Sequence, residues 1–341
     1  GSNTTADCNV AVGQSALGAN TTGANNTAVG HLALLANTTG CENVAMGCGA
    51  MGSTTSGNRS VAIGNKALSS NTTGVNNTAV GWCALESSTE GLGNTAVGYE
   101  SLEENTTADN NSAFGYRALN FNLTGADNTA LGTCALKNNT TASYNTAVGM
   151  SALLANTTAV QNTATGWCAL ALNTTGSYNS SNSAYALRSN TTGANNTAIG
   201  RASLSLNTTG ACNTAVGASA LYGNTTAANN TAVGINSLCS NTTGEVNTAI
   251  GSSSMVTNTT GFGNTALGKN SLYTNNGNNN TAVGHEALEL NTSGDSNVAL
   301  GRQALEANTT ASANTAVGFE SLKANTTGAE NVAVGSTAMT S

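Results

Sequence analysis

The hydrophobic and polar positions of this chain repeat with a 17-residue period along its whole length. We number each repeat from its closing glycine, taken as position zero, as for Gly81 in the stretch 71–85. Thr-Ala-Val or a close variant precedes this glycine, and a small residue followed by Leu or Met occupies positions +3 and +4. Asn-Thr-Thr followed by Gly or Ala fills +7 to +10, and a second Asn lies at +13. Twenty repeats follow this pattern, with Ser183 once in place of the glycine and one 16-residue step before Gly284.

A short fixed period predicts a solenoid, in which each repeat forms one coil stacked on the last. Short β-rich runs bounded by Gly and Asn predict one strand at Asn-Thr-Ala-Val-Gly and a second around the Ala-Leu pair. The Asn-Thr-Thr-Gly stretch and the closing glycine are the expected corners. We therefore predict an all-β parallel β-solenoid (β-roll) of about twenty 17-residue coils, as a single repeat-built domain over residues 1–341. At about 4.8 Å per coil, the rod would be about 95 Å long.

The two asparagine columns are expected to form ladders along the stack. These are the +13 column, which includes Asn94, and the +7 column, which includes Asn105. Stacked asparagines can bond amide to amide between coils and so satisfy buried polar groups. The alternative is that Asn occurs there only because it tolerates turns.

The strand segment is restricted in sequence on both of its faces. Neighbouring residues of a strand point to opposite sides, yet Thr, Ala and Val are all restricted here. Strands restricted on both faces are usually buried on both. We therefore expect a partner outside the coil, most simply in a parallel homotrimer packed along this segment.

Composition narrows the function classes. The net charge of −7 and the low content of basic residues argue against nucleic-acid binding. Proline is absent, as expected where backbone N–H groups bond between coils. The sequence contains no run of 18 apolar residues, so no membrane span is predicted, and no signal peptide is visible.

The segment Ser60-Val61-Ala62-Ile63-Gly64-Asn65-Lys66-Ala67 resembles the head repeats of trimeric autotransporter adhesins, the YadA-like heads. The wider repeat also resembles stretches of long phage and viral tail fibres. The resemblance implies a left-handed parallel β-roll assembled from three chains, with a surface that binds host matrix or cells. Head repeats are shorter, however, and the Asn-Thr-Thr-Gly corner is an addition, so coil shape and oligomer number are not fixed by it.

No convergent chemistry is expected, because the repeats produce columns of like residues. His31 and His285 lie some fifteen coils apart and cannot pair. The glycine corners lack the helix and lysine of phosphate loops, and the carboxylates lack the spacing of calcium-binding rolls. We predict no enzyme activity, no catalytic or cofactor-binding residue, no cofactor and no metal site.

Eight cysteines are present, and three of them share position +2: Cys83, Cys134 and Cys168. They lie two or three coils apart, which at about 9–10 Å or more is too far for a disulfide within one chain. Free thiols at variable positions are one interpretation. The other is that these three residues form disulfides between chains.

Asn-Thr-Thr is also an N-glycosylation acceptor. If the corners are exposed in an exported protein, some will carry glycans; if the asparagine is structural, the acceptor arises by accident. The candidate +7 sites are Asn20, Asn37, Asn71, Asn105, Asn156, Asn173, Asn190, Asn207, Asn224, Asn241, Asn258, Asn308 and Asn325. Asn25, Asn76, Asn195 and Asn229 are acceptors at other positions.

Our leading hypothesis is a structural, adhesin-like segment of an extracellular fibre, filament or spike, at the surface of a cell or virion. Its partners would be further copies of itself and a host surface glycan or protein, without membrane insertion. Because Gly1-Ser2 and Thr340-Ser341 occupy the same two places of the repeat, head-to-tail stacking is a second mode of self-association. The alternative function is a ligand-binding solenoid, for glycans or ice, using exposed Thr and Asn columns such as those of Thr38 and Thr39.

Overall fold

The computed structural model describes residues 5–340, and it is all-β with no helix in that range. Gly1, Ser2 and Ser341, on which the head-to-tail expectation rests, lie outside the described residues. The chain forms two compact units, residues 1–175 and 176–341. Each is a parallel β-solenoid of 17-residue coils, which confirms the predicted fold class.

Every repeat contributes one three-residue strand. The strands of the first unit are β1 Val10–Val12, β2 Thr27–Val29, β3 Val44–Met46, β4 Val61–Ile63, β5 Thr78–Val80, β6 Thr95–Val97, β7 Ser112–Phe114, β8 Thr129–Leu131, β9 Thr146–Val148 and β10 Thr163–Thr165. Those of the second unit are β11 Ser180–Asn182, β12 Thr197–Ile199, β13 Thr214–Val216, β14 Thr231–Val233, β15 Thr248–Ile250, β16 Thr265–Leu267, β17 Thr281–Val283, β18 Val298–Leu300, β19 Thr315–Val317 and β20 Val332–Val334.

Within each unit, consecutive strands pair in parallel with equivalent residues opposite each other. Thr78, for example, lies opposite Thr95. The short repeat keeps this pairing, because Thr265 lies opposite Thr281 although the chain between them is one residue shorter. Equivalent side chains therefore form columns, and the period of the sequence becomes the period of the structure.

The strands alternate as expected between the coil interior and the outside. In β2–β20 the middle residue is buried, as for Ala79 at 0 % exposure, whereas its neighbours Thr78 and Val80 are partly exposed. The interior is completed by the small residue at +3, Leu or Met at +4, the two asparagines, and Gly or Ala at +10. A 17-residue coil thus encloses a narrow core with one large aliphatic side chain.

The predicted second strand around the Ala-Leu pair is wrong. Ala33 N–H donates to the Gly30 carbonyl at 3.4 Å, and Asn37 N–H donates to the Leu34 carbonyl at 3.3 Å, so this segment consists of two successive turns. Leu34 has a φ of 49°, and both it and Ala33 are buried. Adjacent residues of a strand cannot both face inward; here the left-handed conformation of the leucine allows it. The hydrogen bonds between coils continue through the turns, as from Leu34 N–H to the Ala50 carbonyl at 3.0 Å.

The closing position strongly favours glycine for two reasons. Its φ lies between 124° and 141° in every repeat that has glycine there, a region that side chains strongly disfavour. In addition, a Cβ on Gly81 would lie 2.2 Å from the carbonyl oxygen of Gly98 in the next coil. Ser183 adopts the same conformation, with a φ of 137°.

Both asparagine columns are buried and bond from coil to coil, as predicted. In the +7 column the Nδ2 of Asn122 donates to the Oδ1 of Asn105 at 3.0 Å and to the carbonyl of Gly125 at 2.8 Å. In the +13 column the backbone N–H of Asn94 donates to the Oδ1 of Asn77 at 2.9 Å. The +13 ladder thus runs chiefly through the backbone, with amide-to-amide bonds in only some of its coils.

Candidate interaction surface

The outward side of the strands is one of the surfaces that the fold leaves exposed. We call it the TAV face and define it as the side chains of the first and third residues of the strands. The third residue is aliphatic, Met or Phe in all strands except β10 and β11. Ile63 is 39 % exposed and Leu131 is 48 % exposed. Because neither position holds a charged residue in any strand, the TAV face of each unit is an uncharged, largely apolar stripe.

One strand in each unit interrupts its stripe with a polar residue. Thr165 is the third residue of β10 in the first unit, and Asn182 is the third residue of β11 in the second. Both side chains are exposed. The strand β11 departs from the repeat further, with Ser181 in place of the buried alanine. The Oγ of Ser181 donates to the Ala186 carbonyl at 2.8 Å, so this hydroxyl is satisfied inside its own coil.

A second exposed feature is a short stack of aromatic rings at position +1. Trp82 and Tyr99 stack with ring centroids 4.9 Å apart, and Tyr99 and Tyr116 follow at 5.3 Å. The guanidinium of Arg117 lies 5.2 Å from the centroid of Tyr116. The faces of these rings contact one another. A sugar would need a free ring face to stack on, so the stack itself offers little for a glycan to bind.

Charged side chains gather on positions +2 and +5 of adjacent coils. Arg117 Nε donates to Glu100 Oε2 at 2.6 Å. Burial would raise the pKa of the Glu100 carboxyl, but hydrogen bonds from Arg117 and the Tyr99 hydroxyl outweigh it and lower that pKa. The pKa of Glu103 moves in the opposite direction, because burial and the neighbouring carboxylates outweigh its bond from Asn120.

Two groups of three potential metal ligands occur at these positions within residues 5–340. They are Cys83, Glu86 and Glu103 in the first unit, and Glu286, Glu289 and Glu306 in the second. Lys66 pairs with Glu86 at 3.1 Å, and Lys323 pairs with Glu306 at 3.2 Å. These lysines supply positive charge to each group. Their shared spacing, three positions and then one full repeat, is visible in the sequence, yet we predicted no metal site from it.

The candidate glycosylation asparagines at +7 lie in the core rather than at an exposed corner. The structure buries all of them except Asn325, which is half-buried. In Asn207 the Nδ2 atom, to which a glycan would be attached, donates to both Asn190 Oδ1 and the Gly210 carbonyl. At the buried sites the structure therefore agrees with the interpretation that the asparagine is structural, while glycosylation itself stays a prediction. Of the acceptors at other positions named above, Asn25, Asn76, Asn195 and Asn229 all have exposed side chains.

The three cysteines of the +2 column differ in exposure. Cys83 is only 1 % exposed, and burial together with a hydrogen bond to Glu86 raises the pKa of its thiol to about 12. The sulfur of Cys83 is therefore buried within its own chain, and an interchain disulfide at this residue stays a prediction. Cys134 and Cys168 are half-buried, and an interchain disulfide at these two residues stays a prediction.

The two histidines lie in different units, His31 in the first and His285 in the second, so neither unit contains both. His31 Nδ1 lies 3.7 Å from the sulfur of the exposed Cys48. His285 Nδ1 lies 3.3 Å from a carboxylate oxygen of Glu286.

Comparison with known proteins adds no assignment. No membrane-spanning helix occurs in the described part of the chain. The sequence matches no protein-family model and no curated protein.

Proposed function

We propose that this chain is a structural, non-enzymatic segment of an extracellular fibre, filament or spike, and that copies of it assemble in parallel through the TAV face. A homotrimer is the simplest assembly. The observation that carries the proposal is the apolar stripe on the outward side of the strands, which repeats with the period of the coils. Extended apolar surface of this kind marks protein interaction sites.

A second copy of the chain is the partner that this stripe suits best. Only another stack of coils with the same spacing presents side chains at the same intervals along the stripe. The chain carries a net charge of −7, yet the TAV face holds none of its charged residues. Like-charged copies can therefore approach there with little desolvation of charge.

The resemblance to adhesin heads and tail fibres supports a location on a cell or virion surface and a role in attachment. Solenoid coils stacked on their neighbours provide an extended surface suited to that role. A host surface glycan or protein would then be the ligand.

The proposal is tested by sedimentation velocity of the full chain, with and without a charge on the TAV face. We expect the wild type to sediment as an oligomer of the 33.5 kDa chain, and Ile250→Glu to shift it toward monomer. Ser252→Glu, two residues away and off the TAV face, is the matched control and should leave the oligomer intact. A wild-type chain that is folded and monomeric would contradict the proposal.

A second candidate function is ligand binding, to ice or a glycan, through threonine columns. In the +8 column the hydroxyl is used within the stack, as in Thr38 Oγ1 donating to the Thr55 carbonyl at 3.0 Å. The hydroxyls of Thr78 and Thr95, on the TAV face, have no hydrogen-bond partner in the described chain. They could bind ordered water or sugar, and thermal hysteresis and a glycan array would test this function.

A further inference from the structure

We infer that Asn182 sets the register in which two copies of the chain meet, by packing its side-chain amide against that of Asn182 in the other copy. This inference rests on the proposed assembly through the TAV face. It concerns the second unit, in which β12–β20 all present an aliphatic third residue and β11 alone presents an amide.

A periodic stripe by itself does not define a register. If one copy slides by one coil along its partner, Ile199 takes the place of Val216 and the next aliphatic residues follow suit. Apolar contact is non-directional and scales with area, so successive registers differ little in energy. A residue that breaks the period is therefore needed to select one of them.

Asn182 has the chemistry for this selection. An amide carries both donors and acceptors, so two asparagines can satisfy each other. After a slide of one coil, the amide would instead face Ile199 of the other copy and lose its partner, which is costly in a buried interface. A single asparagine in an otherwise apolar seam fixes register in coiled coils by the same balance.

The structure leaves this amide available. The side chain of Asn182 is exposed on the TAV face, and it has no hydrogen-bond partner in the described part of the chain. A cyclic oligomer with its axis along the coils places the same residue of every copy at one level. One asparagine per chain is then enough to form a complete polar layer.

Photocross-linking of the full chain tests the inference. The photoreactive residue p-benzoylphenylalanine replaces Ile250, and cross-links between a ¹⁵N-labelled and an unlabelled copy are mapped by mass spectrometry. We expect the wild-type background to give cross-links to the partner coil that contains β15. The variant Asn182→Val, which restores the common repeat, should add cross-links displaced by one repeat, to the coils of β14 and β16.

Thr133→Val, on an exposed position off the TAV face, is the matched control and should leave the wild-type map unchanged. Phe114 is a second probe position, at which the new residue keeps an aromatic ring. Sedimentation of the same samples separates two failures. A monomeric wild type overturns the assembly and the inference together, whereas an oligomer with several registers in the wild type, or with one register in Asn182→Val, overturns the inference alone.

Discussion

The side-chain oxygen Oδ1 of Asn276 accepts a hydrogen bond from the backbone N–H of Thr259 at 2.7 Å and another from its hydroxyl at 2.8 Å. In a regular coil the acceptor is a backbone carbonyl, as where Thr38 N–H and Thr38 Oγ1 both donate to Thr55 O. Asn276 lies in the 16-residue repeat. Its amide therefore replaces a main-chain acceptor where the chain is one residue short.

Removing this amide should weaken the short coil. We expect Asn276→Ala to lower the free energy of unfolding by about 1 kcal/mol, because water can replace the lost acceptor at this exposed position. Asn276→Asp keeps an acceptor oxygen and should lose less. Urea unfolding at fixed protein concentration measures both, and equal losses would show that the acceptor is not what matters.

The +7 ladder has two gaps that substitution should close. Thr54 and Ser88 replace asparagine, and the Oδ1 atoms of Asn37 and Asn71 consequently lie buried with no hydrogen-bond donor. An unsatisfied buried acceptor costs about 1–3 kcal/mol. We expect Thr54→Asn and Ser88→Asn each to raise the free energy of unfolding by an amount in this range, measured by urea titration.

The reverse change provides the control for the ladder. Asn122→Ser places the same gap in an intact stretch, where Asn122 joins Asn105 below and Asn139 above. It should lower the free energy of unfolding by a similar amount. A neutral result for Asn122→Ser would mean that the ladder adds little to stability.

Ser183 is strained at a position where the other repeats have glycine. With a φ of 137°, it adopts a conformation that costs about 1–3 kcal/mol for residues with a side chain. Ser183→Gly should therefore raise the thermal midpoint, while Gly200→Ser, the matched change one coil later, should lower it. A drop in the midpoint of Ser183→Gly would indicate that the serine hydroxyl contributes more than the strain removes.

Glu100 and Glu103 should shift acid stability in opposite senses. The folded-state pKa of Glu100 lies below its ordinary value of 4.5, so its stabilising contribution is present above pH 4.5 and is lost as the pH falls through the folded-state pKa. The folded-state pKa of Glu103 is raised above its ordinary value. The stabilising contribution of Glu103 is therefore present below its unfolded-state pKa and is lost as the pH rises through its folded-state pKa.

Glu100→Gln should accordingly lower stability at neutral pH, and the deficit should shrink as the solution is acidified. Glu103→Gln should raise stability at neutral pH. Thermal unfolding as a function of pH measures both. The effect of Glu100→Gln should be smaller than that of breaking a fully buried ion pair, because Arg117 is 35 % exposed and solvent screens its charge. Curves of the same sign for the two variants would contradict this prediction.

Cys83 should be the slowest cysteine to react with iodoacetamide. Its thiol is buried and has a pKa of about 12, so little reactive thiolate forms at mildly alkaline pH. The exposed Cys8, Cys48 and Cys212 should be alkylated first. Peptide mass spectrometry over time gives the rates, and in urea all eight cysteines should react alike. Early modification of Cys83 in the folded protein would contradict its burial.

The 17-residue period predicted the strands well. Thr78, Ala79 and Val80 recur in equivalent form once per repeat, as expected when each repeat is a coil stacked on the next and equivalent residues lie opposite each other. The period could not reveal the turns around Leu34, since a positive φ at leucine has no signature in residue type. The asparagines carried two signals at once. The recurrence of Asn105 through the repeats predicted a buried ladder, which the structure confirms, whereas the Asn-Thr-Thr triplet taken alone suggested a glycosylation acceptor.

The hydrogen bonds between coils, which continue through the turns at the Ala-Leu segment, determine how the protein responds to a pulling force. Within each unit, the hydrogen bonds of a coil run to the coils immediately before and after it. A terminal coil can therefore peel away without disturbing those further in. Each release would lengthen a tethered chain by on the order of 55 Å, the extended span of one repeat. When the chain is pulled from its ends, its extension should therefore increase in steps of nearly equal length.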